Sequence, residues 1–450
     1  FYSKKYQGIN NYLLANRSVG VFSLTFSLVS SALGAWILFG PASAATWGGI
    51  GAVIGYALGT AFPLFILIYL GQKFRNNYSK GKTLIEVIRK RYGTKLFKLI
   101  LFLSIFYMTI FLIAEVTAVS LLVKYISGTS LWITAGIVVA TSLIYTLYGG
   151  LRASLFTDNI QFIIFGLLLL IVFLNLILFN SNEFNFNYIN QNKPHLLSSQ
   201  YLPNFTAGLT FFVAVAATNL FHQGNWQRVY AAKSNKILKK SLIFSFLIIL
   251  PIVFLMGFSG LIAVSKNEAT VPDLAFFTLI LNEHGIQFSI IIIILAISLT
   301  VSSIDTLINA ISSLIIVDGN KFFKDKKNYL LFSKQALIFL SILTFLVASK
   351  GLSILYLFLL ADLLCCAAVC SVYYGFYNKK FEETKSFVAI LFGLIMGILF
   401  FPSPDYSKSI LVGVIFPTNM FPDFISQSLL FSSFMIAIFA PLIVWKVRDQ

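Results

Sequence analysis

The chain has 450 residues, 58% of them hydrophobic and only 11% charged, with a mean hydropathy of +0.87 and a formal net charge of +17. A soluble domain carries roughly a quarter charged residues, which excludes that class here. The basic excess would suit nucleic acid or a membrane surface, and the positions of the charges decide between them.

Residues 1–19 are a polar lead-in without a signal peptide. Twelve apolar runs then recur: 20–39, 48–70, 97–123, 131–148, 159–179, 206–224, 241–264, 286–316, 329–348, 352–377, 386–402 and 427–445. Each approaches the roughly 20 residues that span a bilayer. They are continuous rather than alternating, so they predict helices and not barrel strands. No linker or soluble domain interrupts them, and residues 1–450 are expected to form a single polytopic domain. The Asn-rich stretch 180–205 is expected to be a surface loop or short lid.

With the first loop placed inside, all lysines and arginines fall inside except Lys124, Lys193, Lys266, Lys350 and Lys408. This is the positive-inside pattern, and it predicts a multi-pass protein of the inner (plasma) membrane with both visible ends cytoplasmic. The charge is thus a topology signal beside membrane lipid, with no nucleic-acid partner. Cys365, Cys366 and Cys370 share one predicted helix and read as small core residues.

Two spans look broken. Gly40-Pro41 follows the first apolar run, and Gly224 stands among polar residues at a helix end. Paired broken helices point to a transporter built from inverted repeats, with a site near the midplane. Of 16 acidic residues, Glu115, Asp158, Asp305 and Asp362 lie at membrane depth or its edge. A charge there costs at least about 2.5–3.5 kcal/mol and should have a partner. No lysine or arginine falls inside a span except near its ends, so a bound cation, a cationic solute or a proton is expected to balance these acids. Ser302, Ser303, Asp305 and Thr306 lie on adjoining turns of one helix face. Such oxygens suit a small hard cation, although hydroxyls also serve close helix packing.

Three segments carry a resemblance: "YTLYGGLRASLFTDNIQ" (145–161), "HQGNWQRVYAAKS" (222–234) and "SSIDTLINAISSLIIVD" (302–318). They resemble the sodium/solute symporter family, and "HQGNWQR" is most similar to its urea active transporter branch, whose members also carry some polyamines. The resemblance implies an all-α membrane protein with a LeuT-type five-plus-five inverted-repeat core, extra C-terminal helices and alternating access. It also implies thirteen helices, one of them upstream of residue 1. By the family pattern, sodium would be held by the carbonyls of Ser30, Leu33 and Leu299 and the hydroxyls of Ser302 and Ser303. A second cation would use Asp158, Asp305 and Thr306, with Asp305 a departure from the usual hydroxyl. Ala32 stands where many members have an acid.

Glu115, Trp36, Asn219, Thr218 and His222 are the substrate candidates, with Trp226 a further ring able to stack a planar solute. Gln227 and Arg228 are gate candidates: Arg228 would pair with Asp158 or anchor at lipid headgroups. Asp362 reads as structural or gating. The expected function is sodium-coupled uptake of urea or a related amide or amine by a monomer. Alternatives are another small solute (polyamine, amino acid or carboxylate) or a transporter-shaped sensor. His195, His222 and His284 are scattered and no catalytic motif is present, so an enzyme is not expected.

Overall fold

The computed structural model describes residues 14–78, 81–178, 186–198, 200–269, 271–281, 286–322, 326–378 and 382–447. His284 and the lead-in before Leu14, both read above, lie outside the described residues.

The described chain is nearly all helix. Val21–Ala32 (α1) is followed by a 3-10 turn, Ala35–Leu38, and then by Gly40–Asn77 (α2). Next come Leu84–Tyr92 (α3), Thr94–Ser127 (α4), Leu131–Leu178 (α5), Leu202–Phe221 (α6), Gln223–Ala231 (α7) and Asn235–Ser265 (α8). Ile286–Val317 (α9), Lys326–Ala348 (α10), Ile354–Tyr374 (α11), Glu383–Phe400 (α12) and Leu429–Val447 (α13) complete the bundle. Eight described helical stretches are long and apolar enough to cross a membrane. Val21–Ala32, Leu131–Ile144, Phe332–Ala348 and Leu429–Trp445 are shorter apolar helices at the remaining predicted runs. Helix α5 covers two predicted spans without a non-helical gap.

Both breaks exist, with one displaced. The first helix ends at Leu33–Gly34, where the backbone is extended, and Gly40-Pro41 instead opens α2. A proline in the first turn costs no intrahelical bond, so it starts a helix more readily than it breaks one. The second break falls at His222, extended between α6 and α7 and next to the expected Gly224. Helix α2 turns sharply at Gly49, with φ 56°. Beyond it, Gly51, Gly55 and Gly59 press against the α6 carbonyls of Asn204, Gly208 and Phe211. A stripe of small residues four apart lets two backbones approach closely, which supplies packing that lipid tails cannot.

The two ends of the bundle differ. At one end, Arg17 donates to the Gly81 carbonyl, Arg75 to Val229 and Tyr230, and Arg91 to Gly375 and Asn378. Thr83 caps α3 by accepting from Glu86 N–H, and its hydroxyl donates to Asp318 at 2.6 Å. Lys321 pairs with Asp318 at 2.8 Å. The basic loops therefore share one face, as the charge pattern predicts. At the other end, the described part of the stretch expected as a surface loop or short lid, residues 186–198 and 200–205, is partly helical. It contains helix Phe186–Asn192 and the turn Pro194–Leu197. Leu196 and Ile189 pack there in an apolar cluster with Val53 and Leu261.

Candidate functional site

The break after Ala32 exposes backbone groups in the middle of the bundle, and Glu115 of α4 meets them. Its carboxylate accepts from Ala35 N–H at 2.9 Å, while Ser303, which lines the same cavity, donates its hydroxyl to the Thr300 carbonyl at 3.1 Å. The approach requires Gly34, because a Cβ at that position would collide with the Glu115 carboxylate.

Glu115 lines a small central cavity of about 50 Å³. Four of the other substrate candidates are brought to the same place: Trp36, Thr218, Asn219 and His222. Asp362 joins them across the cavity, accepting from Thr218 Oγ1 at 2.6 Å. The cavity therefore has two carboxylates and no lysine or arginine in its lining. Aromatic faces complete it. Trp36 stacks on Tyr56 at 5.5 Å and meets Phe358 edge-on at 6.2 Å. Trp226 does not take part: it is fully buried, stacks on Phe74 at 5.1 Å and donates its indole N–H to the Leu220 carbonyl. That position in the core overturns the expectation that it stacks a solute.

The sodium candidates gather where α9 packs against α1 and the turn after it. Ser30, Leu33, Leu299 and Ser302 are fully buried, and Ser303 nearly so. Ser30 Oγ donates to the Asp158 carbonyl at 3.0 Å and Ser302 Oγ to the Asp158 carboxylate at 2.8 Å. Asp158 thus ties α1, α5 and α9 together.

The expectation that no protein cation balances the membrane-depth acids fails at Arg228. Its guanidinium is fully buried and pairs with Asp158 at 2.8 Å. The same nitrogen donates to Thr306 Oγ1 at 2.9 Å, Nε donates to Ser27 Oγ at 2.7 Å, and Nη1 reaches the Gly224 carbonyl at 3.1 Å. Every residue of the short α7 is buried, which turns Arg228 inward instead of toward headgroups. Two of the three groups expected to hold a second cation, Asp158 and Thr306, are therefore engaged by this side chain. The third, Asp305, accepts from Asn309 at 2.9 Å. Gln227 is buried beside Arg228 in the sequence, but its Oε1 has no hydrogen-bond partner among the described residues.

The fold is shared with solved transporters. The chain is similar to a substrate-bound, outward-open Na+-coupled sialic acid symporter, at 17% identity over 98% of this chain and 93% of that one, with TM-score 0.73. It is also similar to Mhp1, a nucleobase-cation-symport-1 family transporter closed around bromovinylhydantoin, at 14% identity, 98% and 96% coverage and TM-score 0.59. The fold is that of a LeuT-type membrane transporter, not of an enzyme. The model of the Sodium:solute symporter family matches residues 12–393, and the chain belongs to that family. Among curated relatives, the spermidine transporter DUR31 of Candida albicans is 25% identical over 422 residues, spanning 91% of this chain and 78% of that protein. Sodium/glucose cotransporter 4 of Danio rerio is 30% identical over 162 residues, 35% of this chain and 24% of that one. The likeness to the urea active transporter branch read from "HQGNWQR" finds no support among these relatives.

Proposed function

We propose that the protein is a sodium-coupled uptake transporter for a small organic amine, with polyamines as the solute class. One observation carries the reading: Glu115 and Asp362 face one cavity whose described lining has no lysine or arginine. A carboxylate in an apolar bundle is costly without a counter-charge, and an ammonium supplies one. The rings of Trp36, Tyr56, Phe111 and Phe358 around the cavity add cation–π faces. The spermidine transporter among the relatives supports the same class. Sodium would sit between α1 and α9, on the carbonyls of Ser30, Leu33 and Leu299 and the hydroxyls of Ser302 and Ser303. One sodium ion crossing about 100 mV supplies about 2.3 kcal/mol. A tenfold sodium gradient adds about 1.4 kcal/mol.

A second reading, urea or a related amide, is favoured by the size of the cavity, since about 50 Å³ suits a solute of few atoms. Proteoliposome uptake of labelled spermidine, putrescine and urea, with and without a sodium gradient, separates the two. The amine reading expects sodium-dependent polyamine uptake that Glu115→Gln abolishes while insertion and folding persist. Uptake of urea alone, or full polyamine uptake by Glu115→Gln, would refute it.

A further inference from the structure

A second, larger cavity of about 510 Å³ opens at the end of the bundle opposite the basic loops. Its lining includes Ser43, Trp47, Asp273, Tyr406 and Gln427, and no lysine, arginine or histidine. Asp273 is the acid in that lining. It is half-buried, it is fixed by a hydrogen bond from Ser43 Oγ at 2.8 Å, and among the described residues no lysine or arginine pairs with it. Burial, and then the nearby Asp273 carboxylate, push the Tyr406 phenol up, so that ring stays neutral beside the acid.

From this vestibule a line of aromatic rings leads inward. Tyr406 lies 6.3 Å from Trp47, Trp47 5.6 Å from Phe211, Phe211 5.0 Å from Tyr56 and Tyr56 5.5 Å from Trp36. Tyr56 and Trp36 already line the central cavity. An anionic solute would be repelled by this lone carboxylate. For an organic ammonium, the carboxylate and the π faces are each an attractive surface.

We propose that this vestibule is a recruiting site for organic ammonium ions, with Asp273 as the anchor and Trp47 and Tyr406 as its π faces. It rests on the amine reading above and adds a second site to it. A cation held there is concentrated at the mouth of the aromatic line before it reaches Glu115 and Asp362.

The test combines equilibrium dialysis of labelled spermidine on detergent-solubilised protein with uptake by proteoliposomes. The wild-type protein should show a weak binding component that survives Glu115→Gln and disappears in Asp273→Asn. In uptake, Asp273→Asn should raise KM about two- to fivefold with kcat kept, as expected for a partly exposed ion pair. Trp47→Leu should move KM in the same direction with the carboxylate intact. Unchanged binding and KM in Asp273→Asn overturn the proposal while leaving the amine reading standing. If the wild-type protein takes up no spermidine, the amine reading falls, and dialysis alone decides the vestibule: a component lost in Asp273→Asn sustains it, and no binding overturns it.

Discussion

Replacing Arg228 tests whether its guanidinium is the internal counter-charge of the bundle. Arg228→Met keeps the bulk of the stem but removes the partner of Asp158, whose carboxylate is fully buried. Breaking a buried ion pair by removing one member costs about 3–5 kcal/mol, because the other charge is left without compensation. Asp158→Asn strands the guanidinium instead. That loss is smaller, about 2–3 kcal/mol, since Ser27, Thr306 and the Gly224 carbonyl still receive its hydrogen bonds. The double variant strands neither charge. It should therefore be more stable than the sum of the single losses implies, by about 2–3 kcal/mol of coupling. Equilibrium unfolding in mixed micelles measures all four corners of the cycle. Losses that add within about 0.5 kcal/mol would refute the reasoning and make Arg228 a packing residue whose charge is balanced elsewhere.

Two further outcomes follow from the site and the basic end. Ser302→Ala or Ser303→Ala removes a hydroxyl from the proposed sodium site and should raise the sodium concentration for half-maximal uptake about tenfold, corresponding to about 1.4 kcal/mol of lost ligand–ion attraction; a sodium titration of uptake checks it, and unchanged dependence in both means the site is misplaced. Asp318 lies just beyond α9, where burial, set against Lys321 and Thr83, pushes its pKa from 3.8 up to about 6. The folded protein therefore holds a proton there that the unfolded chain has lost, so stability should rise as pH falls from 7.5 to 5. Thermal melts across that range should show the rise, and Asp318→Asn should lack it.

Much of this fold is written in hydropathy. Twelve apolar runs locate the helices because burial in lipid demands continuous apolar length, whatever the tertiary contacts. The first break was harder to place, because tertiary chemistry sets it. Glu115, eighty residues away, takes the Ala35 N–H, and Gly34 leaves room for it. Local sequence pointed to Gly40-Pro41 because proline is the stronger punctuation. The cavity gathered the five substrate candidates, since polar residues inside spans have few other places to face. Asp362, read as structural or gating, lines the same cavity as Glu115, and a carboxylate in an apolar run carries the same signal at both positions. For Arg228 the sequence offers two alternatives, pairing with Asp158 or anchoring at headgroups, and the structure makes the pair. The choice depends on α7 being a short helix buried along its whole length.

The bonds that close the basic end have a mechanical consequence. Arg17, Arg75 and Arg91 hold that end through peptide carbonyls, and carbonyls do not titrate. A latch of this kind keeps its strength across physiological pH and opens without separating an ion pair, because water can replace each carbonyl in turn. A hydrogen bond to a charged group is worth about 1.5–3 kcal/mol. Each such bond is thus comparable to the energy that a single charge gains in crossing about 100 mV of membrane potential.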